Sequence, residues 1–300
     1  MASTTATLRT VLMLLWSVLL TSLTGILGVA PLKVVRKQLG AAPFWLLGVG
    51  LSLLFWSTKL PALGIAMIIL TVLVASQAQA EEMGFGLFKS AFLGITSAAL
   101  TMGGLAYVWI SKMGPEWATL FKERIGAQLS ALGQSSELLL VSKLTADDVF
   151  HQIPSMLVGA LVIAASIGLI LEKPLMKWVG LTVPRRQKLV NFRLHEAFIW
   201  PVIAGILFAF VDMGYPTLKI VAMNVLNVAV ICYFFQGLAV LCKYFVVFKV
   251  GTFWRALFVL LFTTQLFLVL SAIGFVDFWA DFRVYFNKRA AEMKKKGSVR

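Results

Sequence analysis

The polar side chains that could do chemistry are few, and they stand inside apolar runs. Asn224, Asn227 and Gln236 fall within the stretch Ile220 to Cys242, Gln265 falls within Ala256 to Val276, and Asp277 closes that second stretch. A polar group held in hydrocarbon is costly, so each is a candidate for ligand binding. Each is also a candidate for helix-to-helix hydrogen bonding, which contributes about 0.6 kcal/mol on average and commonly serves only packing. At about 100° per residue, Asn227 and Gln236 point to opposite faces of a straight helix, so a single pocket takes both only if the helix bends near Gly237. On the binding reading, Asn224, Asn227, Gln236 and Asp277 line a small-molecule pocket among the last three helices.

Catalytic constellations are missing. His151 and His195 lie at the ends of different apolar runs and neither belongs to an H-E-x-x-H pattern, so they read as interfacial residues. There is no G-x-S-x-G, no Walker A loop and no pair of carboxylates within a span, so neither an enzyme nor a self-powered pump is expected. No metal or cofactor is expected either, and energised transport would need an ATPase from another chain. Cys232 and Cys242 share one run, where a helix separates them by about 15 Å, too far for a disulfide. They read as small buried hydrophobes.

The elements that must position these residues are set by composition. Of the 300 residues 60% are hydrophobic and 13% charged, and the mean hydropathy is +0.89, which calls for lipid as the solvent. The fold class this predicts is all-α: a polytopic transmembrane helix bundle forming one domain over residues 1–281, with a basic tail over 282–300. The net charge of +14 sits in short segments between apolar runs and in the tail, a pattern that suits anionic lipid headgroups and not nucleic acid. The expected location is the bacterial cytoplasmic membrane, with the bilayer, other membrane subunits and a small-molecule ligand as partners.

A helix needs about 20 apolar residues to cross the hydrocarbon core. Eight stretches qualify, with seven to nine admitted by the weakest: Thr10 to Ala30, Gln38 to Thr58, Leu60 to Ala80, Ser90 to Ser111, Val149 to Leu171, Ala197 to Val211, Ile220 to Cys242 and Ala256 to Val276. The first reads as an uncleaved span, because it is too long for a signal-peptide core. In the second the helix should start near Pro43, and the sixth is short and carries Pro201. Small residues four apart, Ser90, Gly94 and Ala98 in one run and Ala160, Ala164 and Gly168 in another, predict close packing faces. Between the fourth and fifth spans the polar insertion 112–150 repeats Leu120, Phe121, Ile125, Leu129 and Leu132 at helical spacing, which predicts an amphipathic helix on the membrane surface or over the bundle.

Charge then sets up a conflict. Lys33, Arg36 and Lys37 mark the first loop as cytoplasmic, and Lys173 through Arg193 mark the fifth, while the charges of 112–150 nearly cancel and place that insertion outside. Eight full crossings would then put the basic tail outside as well. A sixth stretch that fails to cross would return the tail to the cytoplasm. The tail itself reads as an interfacial helix: Phe275, Phe278, Trp279, Phe282, Tyr285 and Phe286 fall at helical intervals ahead of a lysine run. Trp279, Arg283, Lys288, Arg289, Lys294, Lys295 and Lys296 are the expected lipid or partner contacts.

Several short motifs carry a resemblance. They are Phe192-Arg193-Leu194 before a span, Asn224 and Asn227 leading to Phe235-Gln236-Gly237-Leu238-Ala239-Val240, then Gly274-Phe275-Val276-Asp277 and Asp281-Phe282-Arg283, together with His151-Gln152-Ile153-Pro154-Ser155. With the layout of spans, they make the chain resemble the YybS-like family of bacterial membrane proteins. That family is distantly similar to the substrate-binding S components of energy-coupling-factor transporters and to the rod-shape protein MreD. The resemblance implies a small-molecule-binding or transport subunit, its pocket open to the outside and its ATPases supplied by other chains; a non-transporting scaffold in envelope assembly is the alternative. The first span lacks the A-x-x-x-A coupling motif that such components often carry and offers only Thr21 with Gly25 and Thr24 with Gly28 at that spacing.

Overall fold

The computed structural model describes residues 2–114, 116–135, 145–182, 189–211 and 213–297, the side chains of 2–7, 132–135, 189 and 293–297 excepted. Among the described residues it is all helical. In chain order the helices are α1 (Ala2–Thr24), α2 (Val29–Leu39), α3 (Ala41–Ser57), α4 (Pro61–Glu82), α5 (Leu87–Met113), α6 (Trp117–Ser135), α7 (Ala146–Val179), α8 (Ile199–Phe210), α9 (Pro216–Val247), α10 (Thr252–Thr264), α11 (Phe267–Ala280) and α12 (Phe282–Gly297). Four of them, α4, α5, α7 and α9, are long and apolar enough to cross a membrane, and α10 with α11 forms a fifth candidate bent by 99°. The shorter apolar helices cover Leu8–Thr24, Ala41–Ser57 and Glu196–Phe210. Each of the eight apolar stretches is therefore helical, and the amphipathic helix expected between the fourth and fifth is α6.

Neighbour contacts fix the direction of each helix. Gly48 lies against Thr71 and Gly94 against Leu73 and Gln77, so α3, α4 and α5 alternate. Asn224 meets His151 and Ser155, while Gly159 meets Ile231 further along, so α7 and α9 run parallel. Phe198 packs on Tyr233 and Gly205 on Leu226, so α8 runs against α9. Thr145 starts α7 with a capping box in which it accepts from the Asp148 N–H and Asp148 accepts from it in return. Those hydrogen bonds to Thr145 hold the exposed Asp148 carboxyl below its ordinary value.

The first and last apolar stretches fold back on themselves. Arg9 Nη1 donates to Val179 O at the C-terminal end of α7, 2.7 Å away, and α1 rises from there about 22 Å to Thr24. Gly25, with φ +74°, turns the chain. Thr24 Oγ1 accepts from the N–H of Leu27, Ser17 Oγ donates to Gly28 O, and a Cβ at Gly28 would come within 1.9 Å of Thr21 Oγ1. The small residues of the first span thus close a hairpin, and its turn satisfies its own backbone, as hydrocarbon requires. α2 then descends beside α7, from Val29 at Gly168 to Lys33 and Lys37 at Glu172. The C-terminal hairpin begins at the same end. Arg255 donates to Val250 O and Phe245 O below α9, Phe267 stacks on Phe234 where the α10–α11 bend reaches its height, and Phe286 of α12 returns to Tyr244 and Phe248.

These two hairpins resolve the charge conflict. The tail shares an end with the α2–α3 and α7–α8 junctions because the first and eighth stretches turn back; the sixth stretch, as α8, runs along α9. Among residues whose backbone is described, only Lys59, Lys112, Lys122, Arg124 and Lys219 stand at the opposite end. Every other described lysine and arginine gathers at the first. The bundle has a basic end and a neutral end.

Two apolar cores hold it. The larger joins α1 to α5 with α7 through residues such as Met13, Val34, Phe44, Met67, Leu73 and Ala164, and the smaller joins the segment before α8 to α8 and α9 through Leu194, Val202, Ala229 and Tyr233. Both small-residue faces are internal: Ser90, Gly94 and Ala98 on α5, and Ala164 and Gly168 on α7, are buried.

Candidate functional site

Pro154 interrupts α7 about two turns after its start. Proline has no N–H, and its ring clashes with the carbonyl four residues back, which disturbs the local helical ladder. Asn224 of α9 fills the gap. Its Oδ1 accepts from the Ser155 N–H at 2.9 Å, and its Nδ2 donates to His151 O at 2.8 Å, so one side-chain amide bridges the two groups that an unbroken helix would pair directly. The second Nδ2 proton goes to Ile220 O. One turn on, Asn227 Nδ2 donates to Ser155 Oγ at 3.2 Å and to Gln152 Oε1 at 3.4 Å.

Cavities open on the two sides of this α7–α9 seam. The larger, about 1000 Å³, lies between α5 and α8, with α7 and α9 behind it. α5 packs on α4 and α7 while α8 packs on α9, which leaves the space between them. Met102, Gly103 and Ala106 line one wall, Pro201 and Val202 another, and Asn224 with Ser155 part of the back. Trp117 and Phe121 of α6 cover its neutral end, held there by ring contacts to Phe150 at 5.7 and 6.3 Å. The smaller cavity, about 680 Å³, takes in Gln152, Ser155 and Asn227 and runs toward the α10–α11 bend at Phe267. Asn224 and Asn227 therefore face different spaces.

Gln236 and Asp277 form a separate joint. Gln236 Oε1 accepts from the Leu194 N–H at 3.0 Å, and its Nε2 donates to Gly274 O at 2.9 Å and to Asp277 Oδ2 at 3.3 Å. Both side chains are buried. Arg283 pairs with Asp277 at 3.4 Å and donates to Phe192 O at 2.6 Å, and Arg193 donates to Phe278 O and pairs with Asp281. α9 and α11 approach so closely here that a Cβ on Gly274 would lie 2.0 Å from Tyr233 O. Asp281 turns the chain into α12 at φ +46°.

Of the expected lipid or partner contacts, Arg283 is thus drawn into this joint. Trp279, Lys288 and Arg289 are exposed, with Arg289 beside Glu292. Lys294, Lys295 and Lys296 fall on α12, and their side chains lie outside the described ones. Gln265 sits at the α10–α11 break, exposed.

Lys33, Arg36 and Lys37, expected in a loop, stand on the helix α2, with Lys33 and Arg36 buried. Lys33 Nζ lies 3.3 Å from Glu172 and 3.7 Å from Glu81, Lys37 lies 3.0 Å from Glu172, and Arg36 donates to Glu82 at 3.0 Å. Three cations of the N-terminal hairpin are thereby tied to α4 and α7. A signal was present in the sequence: Lys33, Arg36 and Lys37 repeat at helical spacing, and Glu172 closes an apolar run. Among the described residues no three of His, Cys, Asp and Glu gather as metal ligands.

An all-helical bundle with two hairpins at a basic end and an apolar cavity opposite defines a multi-pass membrane protein. The chain belongs to a family of predicted membrane proteins, DUF2232, whose match runs over residues 10–278. No curated protein and no solved structure matches it.

Proposed function

We propose that the chain is a small-molecule-binding or transport subunit of the bacterial cytoplasmic membrane, without an ATPase of its own, that holds an apolar or amphipathic ligand between α5, α7, α8 and α9. The observation that supports this is the cavity of about 1000 Å³, near the upper end of ligand-pocket volumes, walled by apolar side chains and covered by an amphipathic helix. The cavity is largely apolar, with Asn224 in its back wall, while Asn227 faces the smaller space and Gln236 and Asp277 lie in the α9–α11 joint. By the positive-inside rule the basic end faces the cytoplasm, so α6 and the cavity mouth face outward. This agrees with the outward-open pocket that the resemblance to S components implies.

Gly103 supplies the test. It lines the cavity, and a Cβ added there meets nothing within 4 Å, so a side chain can leave the backbone at this point and Gly103→Trp should occupy the space. Native mass spectrometry of protein released from native-membrane nanodiscs should show a bound small molecule on the wild type and lose it in Gly103→Trp. The same spectrum from both would defeat the proposal.

The scaffold reading draws on a different observation, the exposed Lys288 and Arg289 beyond a tightly joined α9–α11–α12 corner. Truncation after Lys288 should then release copurifying envelope proteins. Their full recovery would remove the tail from that role.

A further inference from the structure

The large cavity has one chemistry along its walls and another at its mouth. Among the described residues no Lys, Arg, Asp or Glu lines it. At its neutral end Lys122 and Asp147 are paired with each other, and Lys122 also lies 5.1 Å over the Phe150 ring. An ionised headgroup brought into this space would lose water and find no counter-charge among the lining residues, which disfavours it.

The polar groups that remain gather at the neutral end. Asn224 has both amide protons committed to carbonyls, and Ser155 Oγ donates to Gln152 O and accepts from Asn227, so the back wall offers little to a ligand. The His151 imidazole and the indoles of Trp109 and Trp117 are different. They line the mouth, and no hydrogen bond to their ring nitrogens occurs among the described residues. Indoles are the side chains that sit at headgroup depth, with an apolar body and one N–H to offer. From this mouth the cavity descends beside α5 as far as Ala99, about 16 Å below Ile110, past Val158 and Val202.

We infer that the cavity takes a long-chain amphiphile with an uncharged, hydrogen-bonding head, a hydroxyl or an ester, lodged with the head at His151 and Trp117 and the chain descending between α5 and α8. The inference rests on the proposed function and names the ligand class for it. His151 both donates and accepts, and the indoles donate, which suits a neutral oxygen-bearing head. Among the described residues no cation lines the cavity, and Lys122 at its neutral end is paired with Asp147, so an anionic head is disfavoured there.

The test uses the full-length protein in vesicles of phosphatidylethanolamine and phosphatidylglycerol, with two photoreactive probes of equal chain length. One is a diacylglycerol analogue and the other a phosphatidylglycerol analogue, each carrying its diazirine on the chain. The diacylglycerol probe should label peptides covering 99–110 and 150–158 at least tenfold more than the anionic probe. Gly103→Trp should remove that labelling, and His151→Lys, which adds a cation at the mouth, should move the preference toward the anionic probe. Equal or stronger labelling by the anionic probe would overturn the ligand class while leaving the cavity reading in place. Labelling by neither probe, or labelling unchanged in Gly103→Trp, would overturn the cavity reading itself.

Discussion

Asn224→Leu, with Pro154→Ala as its rescue, isolates the joint on which the large cavity is built. Leucine keeps the volume of the side chain and removes the amide that links Ser155 N–H to His151 O. Each buried backbone group left without a partner costs about 1 to 3 kcal/mol. Ser155 is buried, whereas the His151 side of the bridge is exposed and regains water, so the loss should be about 2 kcal/mol, set by the N–H. Replacing Pro154 by alanine removes the ring that holds the helix open, and Ser155 N–H can then donate to His151 O directly. In that background Asn224→Leu should cost less than about 0.5 kcal/mol, giving a coupling energy of about 1.5 kcal/mol in the double-mutant cycle. Reversible unfolding of purified protein in mixed micelles with rising dodecyl sulfate reads all four corners. Effects that simply add would refute the bridge.

Three further outcomes follow from the same structure. Glu172→Leu leaves Lys33 buried with half its carboxylate partners and should destabilise the protein by about 3 to 5 kcal/mol in the same unfolding assay; a change under about 1 kcal/mol would show the cluster to be hydrated. Gly274→Val puts a side chain onto the backbone of α9 at Tyr233, so it should cost about 3 kcal/mol or more, whereas Gly103→Ala, facing open space, should be silent; equal stability of the two variants would contradict the crossing. In a background without Cys232 and Cys242, single cysteines replacing Lys249 and Arg289 should react with an impermeant maleimide from one face of sealed vesicles, and those replacing Lys59 and Lys112 from the other. Labelling of Arg289→Cys and Lys59→Cys from the same face would sink the two-hairpin topology.

Long apolar stretches were legible because a helix in lipid satisfies its own backbone, so length and hydropathy locate it without knowledge of its neighbours. Leu60 to Ala80 and Ile220 to Cys242 therefore correspond closely to α4 and α9. Hairpins were not legible, since Thr10 to Ala30 is as long and as apolar as a crossing segment; what turns it is a single glycine at φ +74° with Ser17, Thr21 and Thr24 around it. A charge balance that no full set of crossings could satisfy was the visible trace of that turn. The opposed directions of Asn227 and Gln236 followed from helical periodicity, and the structure sends them to α7 and α11 respectively. Their partners did not follow from it, because pairing across 38 and 72 residues is a property of the packed bundle. The motifs behind the family resemblance turn out to converge on two joints. His151 through Ser155 meets Asn224 and Asn227, and Phe192 through Leu194 meets Gln236, Asp277 and Arg283. The buried Lys33 and Arg36 of α2 were not legible for a related reason: a basic residue near the end of an apolar run suggests a loop until carboxylates on other helices are known to face it.

The most direct test of the cavity is a cryo-electron microscopy map of the full-length protein in nanodiscs of native lipid. The account expects an elongated density between α5 and α8, starting beside His151 and Trp117 under α6 and reaching the level of Ala99, and expects it to vanish in Gly103→Trp. A map in which α5 closes directly onto α8, leaving no space there, would contradict it.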